Sequence, residues 1–69
     1  MSEFSLKQIQ VFVAVAELGS FTQAAQALFL SQSTVSSHIR SLEEEFHTQL
    51  LKRTTKSLSL TPAGTKLYS

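Results

Sequence analysis

The segment Ser31-Gln32-Ser33-Thr34-Val35-Ser36-Ser37-His38-Ile39-Arg40 gathers four serines, a threonine, a glutamine and an arginine into ten residues. Two chemistries could use them. A serine nucleophile needs a base and a group that orients the base. The chain contains no aspartate and no cysteine, so no pairing of His38 or His47 with an aspartate is available. His38 falls at the edge of an apolar stripe, where a boundary residue is expected. Two histidines and five acids also make a thin supply of metal ligands. No catalytic, metal or cofactor site is expected. The second chemistry is recognition. Short neutral hydroxyls and amides make hydrogen bonds without repelling phosphate, and arginine adds a forked donor, a mixture that suits base edges in a DNA major groove.

A helical wheel sorts these residues. With Val35 at zero and about 100° per residue, Ile39, Leu42 and Phe46 fall near zero and make one apolar stripe. Ser33, Ser37 and Arg40 lie nearly opposite, flanked by Ser36, Ser41 and Thr34, with Gln32 at the front edge and free to point forward. The same face turns acidic at Glu44, with Glu43 and Glu45 beside it, so the N-terminal half suits a groove and the C-terminal half leaves it. A helix standing alone with a solvated polar face would show the same pattern. The neighbouring elements decide.

Ser20 with Gln23 makes a capping box, and Phe21, Ala24, Ala25 and Leu28 keep helical spacing, the alanines allowing close approach of another helix. A short turn, Phe29–Leu30, leads to Ser31, which can cap the next helix with Leu30 and Val35 as a hydrophobic staple. Two capped helices so joined form a helix-turn-helix. Upstream, Ser5 with Gln8 is a further capping box and Phe4 with Ile9 a staple. Leu6, Ile9, Phe12, Val13 and Ala16 supply the buried stripe of that first helix, and Gly19 ends it in the left-handed region. Downstream, Gln49–Arg53 and Ser57–Leu60 alternate like the arms of a hairpin, which must pack on the helices to be stable. Thr61-Pro62 starts a last helix of barely two turns, which reads as the beginning of a longer one.

Sixty-nine residues allow one small domain, and 42% hydrophobic with 16% charged residues place it among globular chains. No apolar run has the length of a membrane span, and no signal-peptide layout opens the sequence, so a soluble domain of a reducing compartment is expected. The net charge of +1 hides a polarity. Through Glu45 there are two bases against five acids; from Phe46 onward Lys52, Arg53, Lys56 and Lys66 stand with no acid. That basic end is a candidate phosphate-binding surface.

The string Phe12 … Ser20-Phe21-Thr22-x-Ala24-Ala25-x-x-Leu28-x-x-Ser31-Gln32-Ser33-x-Val35-Ser36 strongly resembles the winged helix-turn-helix domain of LysR-type bacterial transcriptional regulators. It continues with Ile39-x-x-Leu42-Glu43, Leu50-x-x-Arg53 and Leu60-Thr61-Pro62-Ala63-Gly64, so the likeness covers nearly the whole chain in one register. The resemblance implies a mainly α fold: a three-helix core, a short β-hairpin wing and the start of a linker helix. It implies a DNA-binding domain over residues 1–61, with the helix-turn-helix at 21–40, and the first turns of a linker or dimerisation helix at 62–69. Thr22 would meet phosphate, Gln32, Ser33 and Ser36 would touch base edges, and Arg53 would stand on the wing near the minor groove. With the wheel and the basic end, the candidate DNA-binding set is Thr22, Ser31, Gln32, Ser33, Thr34, Ser36, Ser37, Arg40, Arg53 and Lys56.

The resemblance further implies double-stranded promoter DNA as partner, a homodimer or tetramer in the full-length protein, and a small-molecule effector held by a C-terminal domain that these residues do not include. It implies the bacterial cytoplasm, at the nucleoid, and no membrane. Three positions depart from the family pattern. Ser37 stands where arginine is frequent, which removes a guanine reader. His47 stands where glycine is usual and must end the third helix, in a left-handed conformation that histidine tolerates better than most residues. Leu51 replaces a common phenylalanine, so a looser hairpin is expected. The rival reading is a non-catalytic helical module that binds a protein and no DNA; salt-sensitive DNA binding separates the two.

Overall fold

The computed structural model describes residues 6–53 and 58–68. In chain order these form α1 (Leu6–Leu18), α2 (Phe21–Leu28), α3 (Gln32–Phe46), β1 (Leu51–Arg53), β2 (Leu58–Leu60) and α4 (Pro62–Tyr68). The expected Ser5 cap, Phe4 staple, and the hairpin positions Lys56 and Ser57 lie outside the described residues.

α1 packs against both α2 and α3, and those two pack against each other. Val11, Phe12 and Val15 of α1, Phe21, Ala24 and Ala25 of α2, Val35, Ile39 and Leu42 of α3, and Leu50 and Leu51 make one buried core. Ala24 and Ala25 supply the close helix approach that their small side chains allow. On α1 the expected stripe is displaced. Val11 and Val15 are fully buried, whereas Leu6 is 73% exposed. The segment VFVAVA is apolar all round, so several stripes fit it equally. Contact with two helices centres the buried arc between Val11 and Phe12, and Leu6 falls about 170° away around the helix. Phe46, expected on the α3 stripe, is exposed at the last turn of that helix.

All three core helices end in the left-handed region. Gly19 has φ +67° and donates its N–H to Val15 O at 2.8 Å. Phe29 (φ 59°) and His47 (φ 56°) do the same work without glycine's freedom, each costing about 1 kcal/mol or more of backbone strain. The carbonyls left at the helix end are satisfied in return: Leu30 N–H reaches Ala25 O at 2.9 Å, and Thr48 N–H reaches Glu43 O at 3.1 Å. The expectation for His47 holds.

β1 and β2 pair antiparallel, with Leu51 opposite Leu60 and Arg53 opposite Leu58. The first arm begins at Leu51, two residues later than expected, because Glu43 takes the Leu50 N–H and the Thr61 side chain takes Gln49 O, leaving one backbone bond in the ladder register there. Gln49 O accepts the Thr61 hydroxyl at 2.7 Å, and Leu50 O accepts Thr61 N–H at 3.1 Å. Leu51 is buried, so leucine in place of the larger ring still reaches the core. Thr61 also caps α4, its Oγ1 accepting Gly64 N–H at 3.0 Å. At the far end of α4, Tyr68 OH donates to Glu17 on α1 at 3.2 Å. Desolvation there, the hydrogen bond to Glu17 and its negative charge push the phenol up, which keeps it a donor.

Candidate nucleic-acid interface

The start of α3 is held by its own side chains. Ser31 is the N-cap: its Oγ accepts Thr34 N–H at 3.1 Å and donates to Thr34 Oγ1 at 2.7 Å. Ser33 Oγ lies 3.2 Å from Ser31 Oγ. Ser31 and Thr34 therefore spend their hydroxyls on one another and on the helix end. The cap is worth about 1 kcal/mol and fixes where the first helical residue, Gln32, projects.

Gln32 is not free. Thr22, the second residue of α2, donates its Oγ1–H to Gln32 Oε1 at 3.3 Å. The bond ties the beginnings of the two helices together and uses the Gln32 amide oxygen. Farther along α3, Ser33, Ser36, Ser37 and Arg40 line a shallow concavity of about 320 Å³, the helix face opposite Val35. The wheel therefore holds in three dimensions: Ser33, Ser37 and Arg40 are exposed, Ser36 half-buried.

Arg53 ends β1, and its guanidinium carbon lies 4.3 Å from the centroid of the Phe21 ring. A second concavity of about 220 Å³ sits there, lined by Phe21, Ile39, Glu43, Gln49, Leu51 and Arg53. Arg53, Phe21, Thr22 and Gln32 thus form a continuous path from the wing over α2 to α3. Of the ten candidate residues, nine are joined along this path and the α3 face; Lys56 lies outside the described residues.

Two residues matter in ways their sequence context did not convey. Glu43 belongs to the acidic end of α3, but its carboxylate turns back to accept Leu50 N–H at 2.9 Å and Leu51 N–H at 3.3 Å. It fastens the wing to the recognition helix through charge-assisted bonds. Its signal was the Leu42-Glu43 pair within the longer pattern, masked by Glu44 and Glu45. Helical spacing puts Phe21 in the core, where it is, but says nothing of the arginine above it. Among the described residues no group of three or more His, Asp and Glu could hold a metal ion.

The profile described as "Bacterial regulatory helix-turn-helix protein, lysR family" matches residues 6–65. The transcriptional regulator CysL of Bacillus subtilis is 48% identical over 60 residues, which cover 87% of this chain and 20% of that protein. The transcriptional activator AaeR of Escherichia coli is 46% identical over 63 residues, 91% of this chain and 20% of that protein. The chain spans about a fifth of the length of the curated relatives it matches. Among solved structures, the BenM DNA-binding domain in complex with catB site 1 DNA superposes with a TM-score of 0.89 at 42% identity, covering 93% of this chain and 71% of that one. The winged helix-turn-helix of those regulators is the fold of this chain. The chain belongs to the LysR family of bacterial regulatory helix-turn-helix proteins.

Proposed function

We propose that this domain reads double-stranded promoter DNA sequence-specifically, with the N-terminal half of α3 in the major groove and the wing against the backbone. The observation that carries this is the polar, hydrogen-bonding face of Ser33, Ser36, Ser37 and Arg40, joined through Gln32 to Thr22 at the start of α2. The BenM neighbour, solved as a DNA complex, supports the reading. Gln32, Ser33, Ser36, Ser37 and Arg40 face the bases; Thr22, Arg53 and Lys56 serve phosphate. Ser31 and Thr34 act by setting the helix start. The domain is non-catalytic and works in the bacterial cytoplasm at the nucleoid; no described helix is long and apolar enough to cross a membrane. Residues 1–61 form the reading head and 62–69 the first turns of a linker helix. In the whole protein, pairing of two such heads and an effector domain complete the regulator.

The bond from Thr22 occupies one lone pair of the Gln32 amide oxygen and leaves its amide N–H groups as readers, which fits N7 of either purine, O6 of guanine or O4 of thymine. Gln32→Ala is expected to cost about 1–3 kcal/mol on the preferred site and little on mixed-sequence DNA. Selection of bound fragments by the purified chain supplies the site; titration of both duplexes over a salt series then measures the two losses. Equal losses would remove Gln32 from base readout. An unmodified chain that ignores DNA at low salt would favour the protein-binding alternative.

Arg53→Ala, by contrast, is expected to weaken binding about equally on all sequences and lower the salt slope by roughly one unit. A loss confined to the preferred site would make Arg53 a base or shape reader instead.

A further inference from the structure

Arg53 is an exposed side chain at the end of a three-residue strand, yet its guanidinium is parked 4.3 Å from the centre of a ring that belongs to another element. That ring, Phe21, is only 7% exposed and is the first residue of α2. The next residue, Thr22, carries the hydroxyl bonded to Gln32. Glu43 lines the same concavity, but its carboxylate oxygen accepts the backbone N–H groups of Leu50 and Leu51. A guanidinium laid over an aromatic face is attracted by the ring quadrupole and keeps its N–H edge available for phosphate oxygens. A free arginine would have to surrender rotamer freedom when it binds; one already seated on a rigid ring surrenders less.

We propose that Phe21 is a positioning residue for DNA binding: its ring holds Arg53 as a preorganised phosphate clamp between the wing and the start of α2. The inference rests on the DNA reading above and adds a second duty to a residue whose spacing marks it only as core. It also fixes where the clamp works. The clamp sits beside Thr22, at the start of α2.

The test is a double-mutant cycle on the whole 69-residue chain with a mixed-sequence duplex as probe. Phe21→Leu, Arg53→Ala, the pair together, and Phe21→Tyr are titrated over a salt series, with a melting curve for each. Phe21→Leu is expected to lower affinity about threefold to tenfold when Arg53 is present and by less than about twofold when it is alanine. Phe21→Tyr keeps an aromatic face and should restore binding. Because the leucine variant loses core volume, Arg53→Lys provides a surface route that leaves the core intact. It retains the charge but not the planar stack, and should lower affinity about threefold with the salt slope unchanged. Equal losses from Phe21→Leu in both backgrounds, or full affinity in Arg53→Lys, would overturn the proposal while DNA binding stands. An unmodified chain without salt-dependent binding would instead remove the DNA reading, and the clamp with it.

Discussion

Gly64→Ala is expected to destabilise the domain by about 3 kcal/mol or more, the opposite sign from the same change at an ordinary helical glycine. In a solvent-facing helix that substitution gains about 0.5–1 kcal/mol by restricting the unfolded chain. Here a Cβ on residue 64 would collide with the carbonyl oxygen of Leu50 and stand 3.0 Å from its carbon and 3.3 Å from its Cα. The obstacle is backbone, and it is pinned. Leu50 is fully buried, its N–H is held by Glu43, and its carbonyl accepts Thr61 N–H. To make room, α4 must lift from the Leu50 backbone, at the expense of the Thr61 bonds to Leu50 and Gln49. A domain of this length has roughly 3–10 kcal/mol of total stability, so the loss consumes a third of it or nearly all. Urea unfolding followed by circular dichroism measures the change. Gly19→Ala is the control: nothing lies within 4 Å of its added Cβ, but φ is +67°, so the cost there is conformational and about 1–2 kcal/mol. An alanine-64 protein as stable as the unmodified chain would show that α4 is not seated on Leu50 as described.

How much of this was legible beforehand depends on the kind of interaction. Local chemistry was legible. Ser20 and Ser31 cap their helices by the bonds their spacing predicts, and Gly19 and His47 end theirs as expected. The polar face of α3 follows from the wheel because that helix has a single buried stripe against strongly polar residues. The α1 stripe was not legible, since VFVAVA offers an apolar residue in every direction and tertiary contact alone selects Val11 and Val15 over Leu6. Alternation shows the hairpin but starts its first arm too early, because it does not reveal that Glu43 takes the Leu50 N–H and the Thr61 hydroxyl takes Gln49 O. In the site, residue types told which groups could meet DNA. Pairings between distant elements did not show: Thr22 with Gln32, Arg53 with Phe21, Glu43 with the backbone of Leu50 and Leu51. Each joins residues on either side of an element boundary, which no single helical or strand period spans.

Phe12→Ala should separate folding from reading. Phe12 has no exposed surface and sits on α1, the helix that packs against both members of the helix-turn-helix. Removing its ring costs about 3–5 kcal/mol, the lost transfer energy plus the cavity left behind, which is comparable to the whole stability of so small a domain. At 25 °C much of the chain should then be unfolded by circular dichroism. No candidate reader lies on α1, so the surviving folded molecules keep the same interface. Apparent DNA affinity should fall by the folded fraction, equally on preferred and mixed-sequence duplexes, and excess DNA should raise the melting midpoint by mass action. Gln32→Ala predicts the reverse pattern: an unchanged melting curve and a smaller ratio between the two duplexes. The ratio is therefore the decisive quantity. If it drops in Phe12→Ala, the core sets the alignment of Gln32 and the α3 face, and the independence of scaffold and readout assumed for this fold is lost. If it holds while the folded fraction collapses, α1 supports the two reading helices and contributes nothing to which bases they choose.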